Sequence, residues 1–417
     1  MYQWSEEQQM VRQAVRDFVD KEIRPHREDL EFGDLPPYDL LRKMFTTFGM
    51  SEMQRATFDK RIAAEKAAAA GEAPAEKKEG GPRDPNAIAF NLIPIIELCR
   101  VCPGMVTAMG VSMGLTAASV MSKGTIAQKE RWGLDLLTLD KIGAWAITEP
   151  GSGSDAFGSM LSTARRDGDE YVLNGSKTFI TNGPYAETIV FICKLDEGNP
   201  PAERTVLQFV LDAGMPGLEQ SKPLRKMGMH SSPTGELFLS DVRVGKDRLL
   251  GESEDVYTGA GGRAASKATF GIERTGVVAM ALGIVERCLE LCVAYANDRV
   301  QFGQPIGQFQ LIQLKLAKME VARMNLQNQV FRNIEMSAAG EAGSFAEASA
   351  GKLYAAQAAM EVALEAVQIF GGNGYMAEFE VEQLCRDAKV LQIYAGTDEI
   401  QVSAVARALL AEQAGTA

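Results

Sequence analysis

The chain has 417 residues, which is more than one hydrophobic core normally supports, so we expect two or three subdomains that share buried interfaces. Hydrophobic residues make up 46% of the chain and aromatic residues only 7%, and its 19 methionines suit helix-on-helix packing. The 43 basic and 55 acidic side chains give a net charge of −12. This sign is wrong for wrapping nucleic acid or lying on an anionic membrane, so we expect neither partner.

The cysteines argue for reduced thiols in a cytoplasmic location, because six of them are scattered along a chain without a secretory signal. The first residues are acidic where a targeting peptide is basic, and we expect no apolar run of membrane-spanning length. Cys99 and Cys102 have the spacing of half a zinc or redox motif. No second pair occurs, however, and the sequence has two histidines, His26 and His230. We therefore expect no metal site.

The N-terminal part of the chain predicts helices, because its apolar residues recur at helical spacing. The predicted helical stretches are 6–30, 38–48 and 87–137. Residues 61–78 are almost entirely Ala, Glu and Lys, and glycines and prolines follow at 80–85, so we expect a solvated helix and then a flexible connection. The prediction is an N-terminal helical domain over 1–141 with an inserted polar segment at about 51–88.

The middle part, 142–258, changes to short apolar runs rich in β-branched residues, which are typical of strands. These runs are 145–148, 171–173, 178–181, 188–193, 206–211 and 236–244. Asp167-Gly168-Asp169 and Asn174-Gly175 are typical of hairpin turns. Helical periodicity returns over 259–417. The predicted fold is α+β and mostly helical: an N-terminal helical domain, a middle β-barrel or sandwich domain, and a C-terminal four-helix bundle.

The sequence Gly151-Ser152-Gly153-Ser154-Asp155-Ala156 matches the G-x-G-x-x-A pattern of dinucleotide-binding loops and by itself would indicate NAD. That pattern requires a long helix after the glycines, whose N-terminus faces the pyrophosphate. Here a short segment with Gly158 leads into a hairpin instead. We therefore favour a different use of the same residues.

Four motifs occur in an order similar to that of the acyl-CoA dehydrogenases. They are 148–155 with 179–183, 226–234, 299–310, and a C-terminal set made of 368–375, 386–389 and 394–401. The resemblance implies FAD-dependent oxidation of an acyl-CoA thioester to a 2-enoyl-CoA, as in the β-oxidation of fatty acids. It also implies electron transfer to an electron-transfer flavoprotein, and assembly as a homotetramer or homodimer.

The same resemblance implies a set of cofactor-binding residues. In the β domain they are Trp145, Ile147, Thr148, Ser154, Phe179 and Thr181; in the C-terminal domain they are Arg299, Phe302, Gln368, Gly372, Thr397 and Glu399. Arg299 and Gln368 match residues that reach the FAD of a neighbouring subunit, and a guanidinium can pair bidentately with a pyrophosphate. Phe179 stands where many members carry Trp, and Glu399 replaces a glutamine found in some. Taken singly, these residues also fit a polar turn, a core aromatic and a helix-end arginine.

The position of the catalytic base is the main departure from the family pattern. Members remove an α-proton with a carboxylate as the β-hydride leaves for the flavin, and Ala395 stands where many keep this glutamate. In isovaleryl-CoA and long-chain members the glutamate precedes an arginine on the first helix of the C-terminal domain, which matches Glu273-Arg274. The uncharged run 275–285 predicts a buried helix, and burial would raise the pKa of Glu273. The alternative is that Glu273 stabilises the helix dipole.

The resemblance also implies that the backbone N–H of Ala395 polarises the thioester carbonyl, and that Arg274, Tyr394 and Gly396 contact the substrate. Two alternatives stay open. The chain could be a relative with the same fold and other chemistry, such as an oxidase or a desulfinase. It could also be a non-catalytic flavin scaffold whose 51–88 insertion binds a partner. The acyl chain length stays open as well.

Overall fold

The structure, a computed structural model, describes residues 2–72, 84–257, 261–341 and 343–413, with side chains described at all of these except 261–272 and 412–413. Helices come first along the chain, a β domain follows, and a second set of helices completes the described part. This is the predicted mostly helical α+β architecture, which is confirmed.

The N-terminal part is helical to residue 137. Its helices are α1 (Glu6–Phe18), α2 (Arg27–Phe32), α3 (Tyr38–Thr47), α4 (Met50–Ala69), α5 (Pro85–Cys99), α6 (Pro103–Gly110), α7 (Ala118–Lys123), α8 (Ile126–Gln128) and α9 (Leu134–Leu137). Ser5 and Gln8 start α1 with a capping box. The predicted single helix over 6–30 is interrupted by a π-helical turn at Val19–Ile23 and a 3-10 turn at Arg24–His26, because Pro25 cannot donate a helical hydrogen bond.

Helix α4 confirms the described part of the predicted solvated helix at 61–78, since it continues to Ala69 and its residues after Ile62 are exposed or half-buried, and residues 73–78 lie outside the described residues. It begins at Met50, and its Phe58 and Ile62 are 5% and 6% exposed and pack against Met121. The helix therefore has one apolar face that holds it on the N-terminal domain. The predicted connection at 80–85 lies mostly outside the described residues.

The segment Pro103–Lys123 corrects a second prediction. It comprises α6, a π-helical stretch at Val111–Ala117, and α7. By length and composition it could cross a membrane, since its most apolar window has a mean hydropathy of 1.4, but 67% of that window is buried inside the protein. Such burial is typical of a core helix.

The β domain is one curled seven-stranded sheet. Its strands are β1 (Gly143–Ala146), β2 (Thr163–Asp167), β3 (Glu170–Thr181), β4 (Thr188–Leu195), β5 (Val206–Asp212), β6 (Leu218–Gln220) and β7 (Thr234–Gly245). The order is β1-β4-β2-β3-β7-β6, with β5 paired to β4. Every residue of β4 is buried, and residues 189–193 form a continuous apolar run, as expected for a strand buried on both faces.

One predicted hairpin turn is absent from the β domain. Asp167-Gly168-Asp169 does join β2 to β3, with Gly168 at φ 63°, whereas Asn174-Gly175 lies inside the continuous strand β3. There it forms an irregularity in the pairing with β7. Gly175 has φ 152°, and a Cβ at this position would lie 2.2 Å from Ser162 Oγ. The glycine therefore permits a close crossing of strands and not a turn.

The C-terminal part is a helical bundle. Its elements are α10 (Gly261–Asp298), β8 (Val300–Gln301), β9 (Gln304–Pro305), α11 (Gln310–Ala338), α12 (Phe345–Phe370), α13 (Glu380–Val390) and α14 (Asp398–Gln413). Helix α10 is central, since it packs against α5 of the N-terminal part and against α11 and α12. One hydrophobic core thus joins the two helical parts, and a second core lies within the β domain.

Candidate active site

Glu273 lies where the described side chains of α10 begin, immediately before the buried run that includes Val277 and Leu282. Burial among protein atoms raises the pKa of Glu273 to about 7, although the nearby charges of Arg274 and Lys352 lower it. Within the described part of the chain, no hydrogen-bond donor contacts its carboxylate. Among the described residues the carboxylate is therefore a desolvated acid without a hydrogen-bond partner, and it is partly ionised at neutral pH.

The loop before α14 has an unusual backbone, because Ala395 and Gly396 both have positive φ, at 52° and 89°. The carbonyl of Ala395 accepts hydrogen bonds from Arg274 Nε at 3.3 Å and Gln401 Nε2 at 2.9 Å. The carbonyl of Gly396 accepts from Lys352 Nζ and Gln401 Nε2, each at 2.8 Å. Side chains of α10, α12 and α14 thus hold the loop in a strained conformation.

The backbone N–H of Ala395 has no acceptor among the residues that the structure describes. The carbonyl of Ala395 is held by two hydrogen bonds, and the N–H of Tyr394 donates to the Val390 carbonyl at 3.0 Å, so the backbone is anchored on both sides of this N–H. A rigid free donor is the requirement for stabilising a developing oxyanion. The geometry is therefore compatible with the predicted contact to a thioester oxygen.

Arg274 has a different role from the predicted substrate contact. Arg274 is buried, with 4% of its surface exposed. Besides Ala395, its guanidinium binds Ser349 Oγ at 2.9 Å and lies 4.1 Å from the centre of the Phe345 ring. These contacts commit the side chain to the protein, so we reassign Arg274 as a residue that positions the loop.

Tyr394, next to Ala395 in the loop, contacts α10, the helix that carries Glu273. Its hydroxyl lies 3.4 Å from Met280 Sδ, and Met280 follows Glu273 by two helical turns, so the two lie on one face of α10. Burial raises the pKa of Tyr394, whose hydroxyl also lies beside Thr107 of α6. The phenol therefore stays protonated, and it lies between Thr107 of α6 and Met280 of α10.

The predicted flavin residues of the β domain cluster where β1 and β3 end. Thr148 accepts a backbone hydrogen bond from Thr178 at 2.9 Å, which brings the 148–155 turn beside the end of β3. The Trp145 indole points into the core and donates to Ser119 Oγ at 3.2 Å. Phe179, in contrast, is 69% exposed and has φ 56°. The cluster therefore presents an unpacked aromatic ring.

A buried ion pair supports this turn from below. Lys177 Nζ lies 2.8 Å from Glu149 Oε1, and their side chains are 0% and 5% exposed. The backbone N–H groups of Leu161 and Ser162 also donate to the Glu149 carboxylate. Burial raises the pKa of Glu149, but Lys177 and the hydrogen bonds outweigh burial, and the net shift is downward.

These residues fit a flavin with its diphosphate. Nothing lies within 4 Å of where a Cβ would stand at Gly151 or Gly153, so a ligand can approach the backbone there. Ser154 is exposed beside them, as is the Phe179 ring. Ile147 is buried, at 7% exposure, and so offers its backbone alone. Thr181 ends β3 on the same side.

Four predicted cofactor residues lie far from Glu273. Helix α10 continues beyond Glu273 to Asp298, which at 1.5 Å per residue is roughly 37 Å. Arg299 and Phe302 come after this end, both exposed, with Phe302 at 95% exposure. One chain therefore cannot bring them to the site at Glu273.

Gln368 and Gly372 belong to the same distant cluster. Between them lies Phe370, whose ring stacks on Tyr295 of α10 with centres 4.1 Å apart. Gln368 and Gly372 are exposed there. These residues, with Arg299 and Phe302, form a distal cluster at the opposite end of the bundle.

Thr397 immediately precedes α14 and Glu399 lies in its first turn, directly after the loop at Ala395 and Gly396. Thr397 Oγ1 accepts from the N–H of Ile400 at 3.4 Å, as an N-cap does. Glu399 is exposed, and a hydrogen bond from its own backbone N–H lowers its pKa. Helix N-termini favour anionic groups, so this end suits a diphosphate near Ala395.

Sequence reasoning missed Lys352 and Gln401, which hold the loop. Lys352 is 0% exposed on α12, in a helix otherwise rich in alanine, and a lysine in such a setting is a recognisable signal. No metal site was predicted. In the ranges that the structure covers, no group of three or more His, Cys, Asp or Glu side chains could hold a metal. Cys99 and Cys102 lie in the helical core, where burial raises the pKa of both thiols.

Three family models match the chain in order. They are the N-terminal domain of acyl-CoA dehydrogenase over residues 5–140, the middle domain over 144–242 and the C-terminal domain over 259–410. The chain therefore belongs to the acyl-CoA dehydrogenase family. It is an FAD-dependent flavoprotein and an oxidoreductase that acts on acyl-CoA.

Curated relatives with different reactions match nearly the whole chain. An acyl-CoA dehydrogenase of Bacillus subtilis is 35% identical over 97% of this chain and 98% of its own length. A 3-(aryl)acrylate reductase of Clostridium sporogenes is 32% identical over 98% of this chain and 99% of its own length. Members with different reactions are thus about equally similar to this chain.

Solved structures give the same picture. Butyryl-CoA dehydrogenase of Megasphaera elsdenii superimposes with a TM-score of 0.82 at 31% identity, covering 98% of this chain and 100% of that one. A chain from the structure of the electron transferring flavoprotein of Acidaminococcus fermentans superimposes with a TM-score of 0.79 at 31% identity, covering 98% of this chain and 99% of that one. A prolyl acyl carrier protein oxidase superimposes with a TM-score of 0.80 at 30% identity, covering 98% of this chain and 100% of that one.

Proposed function

We propose that the protein is a dehydrogenase that converts an acyl-CoA to the 2-enoyl-CoA, with Glu273 as the base. One observation carries the proposal: Glu273, whose pKa is raised to about 7, lies near a loop whose Ala395 N–H has no acceptor among the described residues. A base whose pKa is near the working pH is ionised often enough to act and still binds a proton effectively.

In this mechanism the loop and α10 divide the work. The Ala395 N–H holds the thioester oxygen and stabilises the negative charge that develops there. Because this contact makes the α-proton more acidic, the Glu273 carboxylate can remove it. Arg274 and Lys352 keep the loop in place through the carbonyls of Ala395 and Gly396. Bound FAD would supply the acceptor for the β-hydride, held by the strand ends at Thr148 and Phe179.

We further propose that the protein works in the cytoplasm as a homodimer or homotetramer. The distal cluster, which contains Arg299 and Gln368, lies roughly 37 Å along α10 from Glu273, and a second copy could bring it to the diphosphate. Helices α11 and α14 also expose large apolar side chains that an assembly would cover: Leu311, Leu314, Val321, Leu409 and Leu410. Electrons would leave through an electron-transfer flavoprotein, consistent with the neighbour described under that name.

An oxidase or another redox reaction on the same fold is the second candidate, favoured by the similarity to the carrier-protein oxidase and the acrylate reductase. The test is anaerobic titration of the purified flavoprotein with a panel of acyl-CoA esters, followed by product analysis and then exposure to air. Flavin bleaching with enoyl-CoA formation and little oxygen consumption supports the dehydrogenase. Rapid peroxide production identifies an oxidase, and sulfite release identifies a desulfinase. A flavin that no ester reduces identifies a scaffold.

A further inference from the structure

His230 lies between two backbone carbonyl groups. Its Nδ1 is 2.7 Å from the carbonyl oxygen of Glu31, and its Nε2 is 2.8 Å from the carbonyl oxygen of Lys226. A carbonyl oxygen accepts hydrogen bonds and cannot donate them, and a neutral imidazole carries one N–H, so it can donate to one of the two oxygens. The imidazolium carries two N–H groups. Both contacts are therefore hydrogen bonds when the ring is protonated, and one of them is lost when it is neutral.

The Glu31 carboxylate supplies a counter-charge for the protonated ring. Its Oε2 lies 3.4 Å from His230 Nδ1 and 3.1 Å from Arg386 Nη1, and the Glu31 side chain is 1% exposed. Its Oε1 has no hydrogen-bond partner in the described part of the chain. Arg386 also serves Glu382, which accepts from its Nε and Nη2 at 2.7 and 2.9 Å. Deprotonation of His230 thus leaves Glu31 buried beside a guanidinium that it shares with a second carboxylate, which is unfavourable.

Another buried acid lies beside Glu31. Asp387 of α13 is 0% exposed, and its carboxylate accepts hydrogen bonds from the backbone N–H of Met229 and from Gln383 Nε2. Burial and the charge of Glu31 raise the pKa of Asp387 from its ordinary 3.8 to about 7. As pH rises through this value, a second buried negative charge appears next to Glu31. Loss of a proton from Asp387 or from His230 therefore changes the local charge in the same direction.

Lys226 does not compensate for these losses. Its Nζ donates to two backbone carbonyls of its own segment, 226–234, and to Thr234 Oγ1, which uses all three N–H groups. Burial lowers the pKa of Lys226 to about 8, although the charges of Asp387 and Glu31 raise it. The ammonium therefore stays mostly charged through neutral pH, but it has no N–H left for Glu31.

Glu31, His230, Arg386 and Asp387 form a junction between all three parts of the chain. Glu31 is on α2 of the N-terminal part, His230 is in the β domain, and Arg386 and Asp387 are on α13 of the C-terminal part. The packing is close, since a Cβ at Gly228 would lie 2.5 Å from the carbonyl carbon of Arg386. A change of charge at the junction therefore acts on the packing of one part against another.

The junction is connected to two elements of the predicted flavin site. On one side, the segment 226–234 ends at Thr234, which pairs with Thr181 at the end of β3. On the other side, α13 ends at Val390, shortly before the loop that contains Ala395. A looser junction therefore lets the strand end move relative to the loop.

We propose that the junction is a proton-dependent contact that holds the three parts of the chain around FAD and weakens as pH rises. The sign follows from its two titrating groups. Protonated His230 makes both hydrogen bonds in the folded protein, so its contribution is present at low pH and is lost as pH rises. Asp387 has a raised pKa in the folded protein, so its contribution is lost between pH 3.8 and about 7. The inference requires that the chain binds FAD, and it does not depend on Glu273 as the base.

The test measures the dissociation constant of FAD and the Tm of the holoprotein between pH 5.5 and 8.5, for the wild type, His230→Gln and His230→Arg. Wild-type FAD binding should weaken roughly tenfold as pH rises, the change that one linked proton gives per pH unit. Glutamine takes up no proton, so His230→Gln should bind FAD weakly at low pH as well and should depend less on pH. Arginine stays charged, so His230→Arg should bind FAD more tightly than the wild type at pH 8.5. The Tm should follow the same order.

His26→Gln is the matched control, because it removes the other histidine of the sequence. His26 is exposed in the 3-10 turn before α2. This variant should keep the wild-type dependence of FAD binding and of Tm on pH.

Three results would overturn the inference: a wild-type FAD affinity that is constant from pH 5.5 to 8.5, or the wild-type pH dependence in either His230→Gln or His230→Arg. Should His230→Gln bind no FAD at any pH, the comparison of the wild type with His230→Arg decides the question. Neither measurement uses an acyl-CoA. Failure of the proposed dehydrogenase would therefore appear separately, in the bleaching titration.

Discussion

At the scale of single residues, the site depends on how Glu273 is balanced between burial and two cations. Burial raises its pKa more than Arg274 and Lys352 lower it, and the result is about 7. The sequence predicted the direction of this shift from the uncharged run after Glu273. It could not predict the opposing charge of Lys352, which comes from another helix.

The first prediction is a pH dependence. The α-proton can be removed only by ionised Glu273, so kcat/KM should rise as pH rises through about 7 and should fall about tenfold per pH unit well below it. The measurement is the anaerobic flavin-bleaching rate between pH 5.5 and 8.5, with FAD content checked at each pH. A profile that is flat over this interval would exclude Glu273 as the titrating base.

The second prediction concerns Gly396. Its φ is 89°, and a Cβ would lie 2.8 Å from Gln401 Nε2, which binds the carbonyls of both Ala395 and Gly396. Gly396→Ala should therefore misplace the Ala395 N–H and lower kcat by roughly 10²–10³-fold, the share of one oxyanion donor. Steady-state turnover gives kcat, and Gly168→Ala, at a positive-φ glycine in the turn between β2 and β3, is the control for backbone strain. Equal losses in the two variants would contradict the assignment.

At the scale of elements, local patterns predicted most helices and strands, and contacts distant in sequence decided the rest. The run 275–285 predicted α10 correctly, because buried helices are apolar on all sides. Strand β2 was missed because three of its five residues are exposed and its sequence is polar. Asn174-Gly175 has the local form of a turn, but pairing of β3 with β7 overrides it. The loop at Ala395 is likewise fixed by side chains from three helices.

The third prediction tests the turn that supports the flavin site. Glu149→Ala would leave Lys177 buried without its partner, so the free energy of unfolding should fall by about 3–5 kcal/mol. Chemical denaturation of the apoprotein and holoprotein measures it. The double variant Glu149→Gln with Lys177→Met should recover part of the loss, because no buried charge remains unpaired. A single variant as stable as the wild type would show that the pair is not needed.

At the scale of the whole molecule, the predicted cofactor residues of the C-terminal domain separate into two groups at opposite ends of α10, with Thr397 and Glu399 after the loop that Arg274 holds and the distal cluster beyond Asp298. The sequence showed both groups but not the distance between them, because only the unbroken helix reveals that roughly 37 Å separates Glu273 from the distal cluster. A complete site would then need two copies of the chain.

The fourth prediction follows from that separation. Coexpressed chains carrying Glu273→Gln and Arg299→Ala should form mixed dimers in which about half of the sites have both native residues, if Arg299 serves a neighbouring copy. Acyl-CoA-dependent turnover should then exceed that of either variant alone. The control places both substitutions in one chain, which should stay inactive without a wild-type partner. No recovery in the mixed assembly would show that Arg299 does not act across the interface.

The central claim is that Glu273 removes the α-proton. Its most direct test is Glu273→Gln, which keeps the size of the side chain and removes the base. The variant should bind FAD as the wild type does, and the rate at which acyl-CoA bleaches its flavin under anaerobic conditions should fall by about 10²–10⁴-fold. Bleaching at the wild-type rate with normal FAD content would contradict the account.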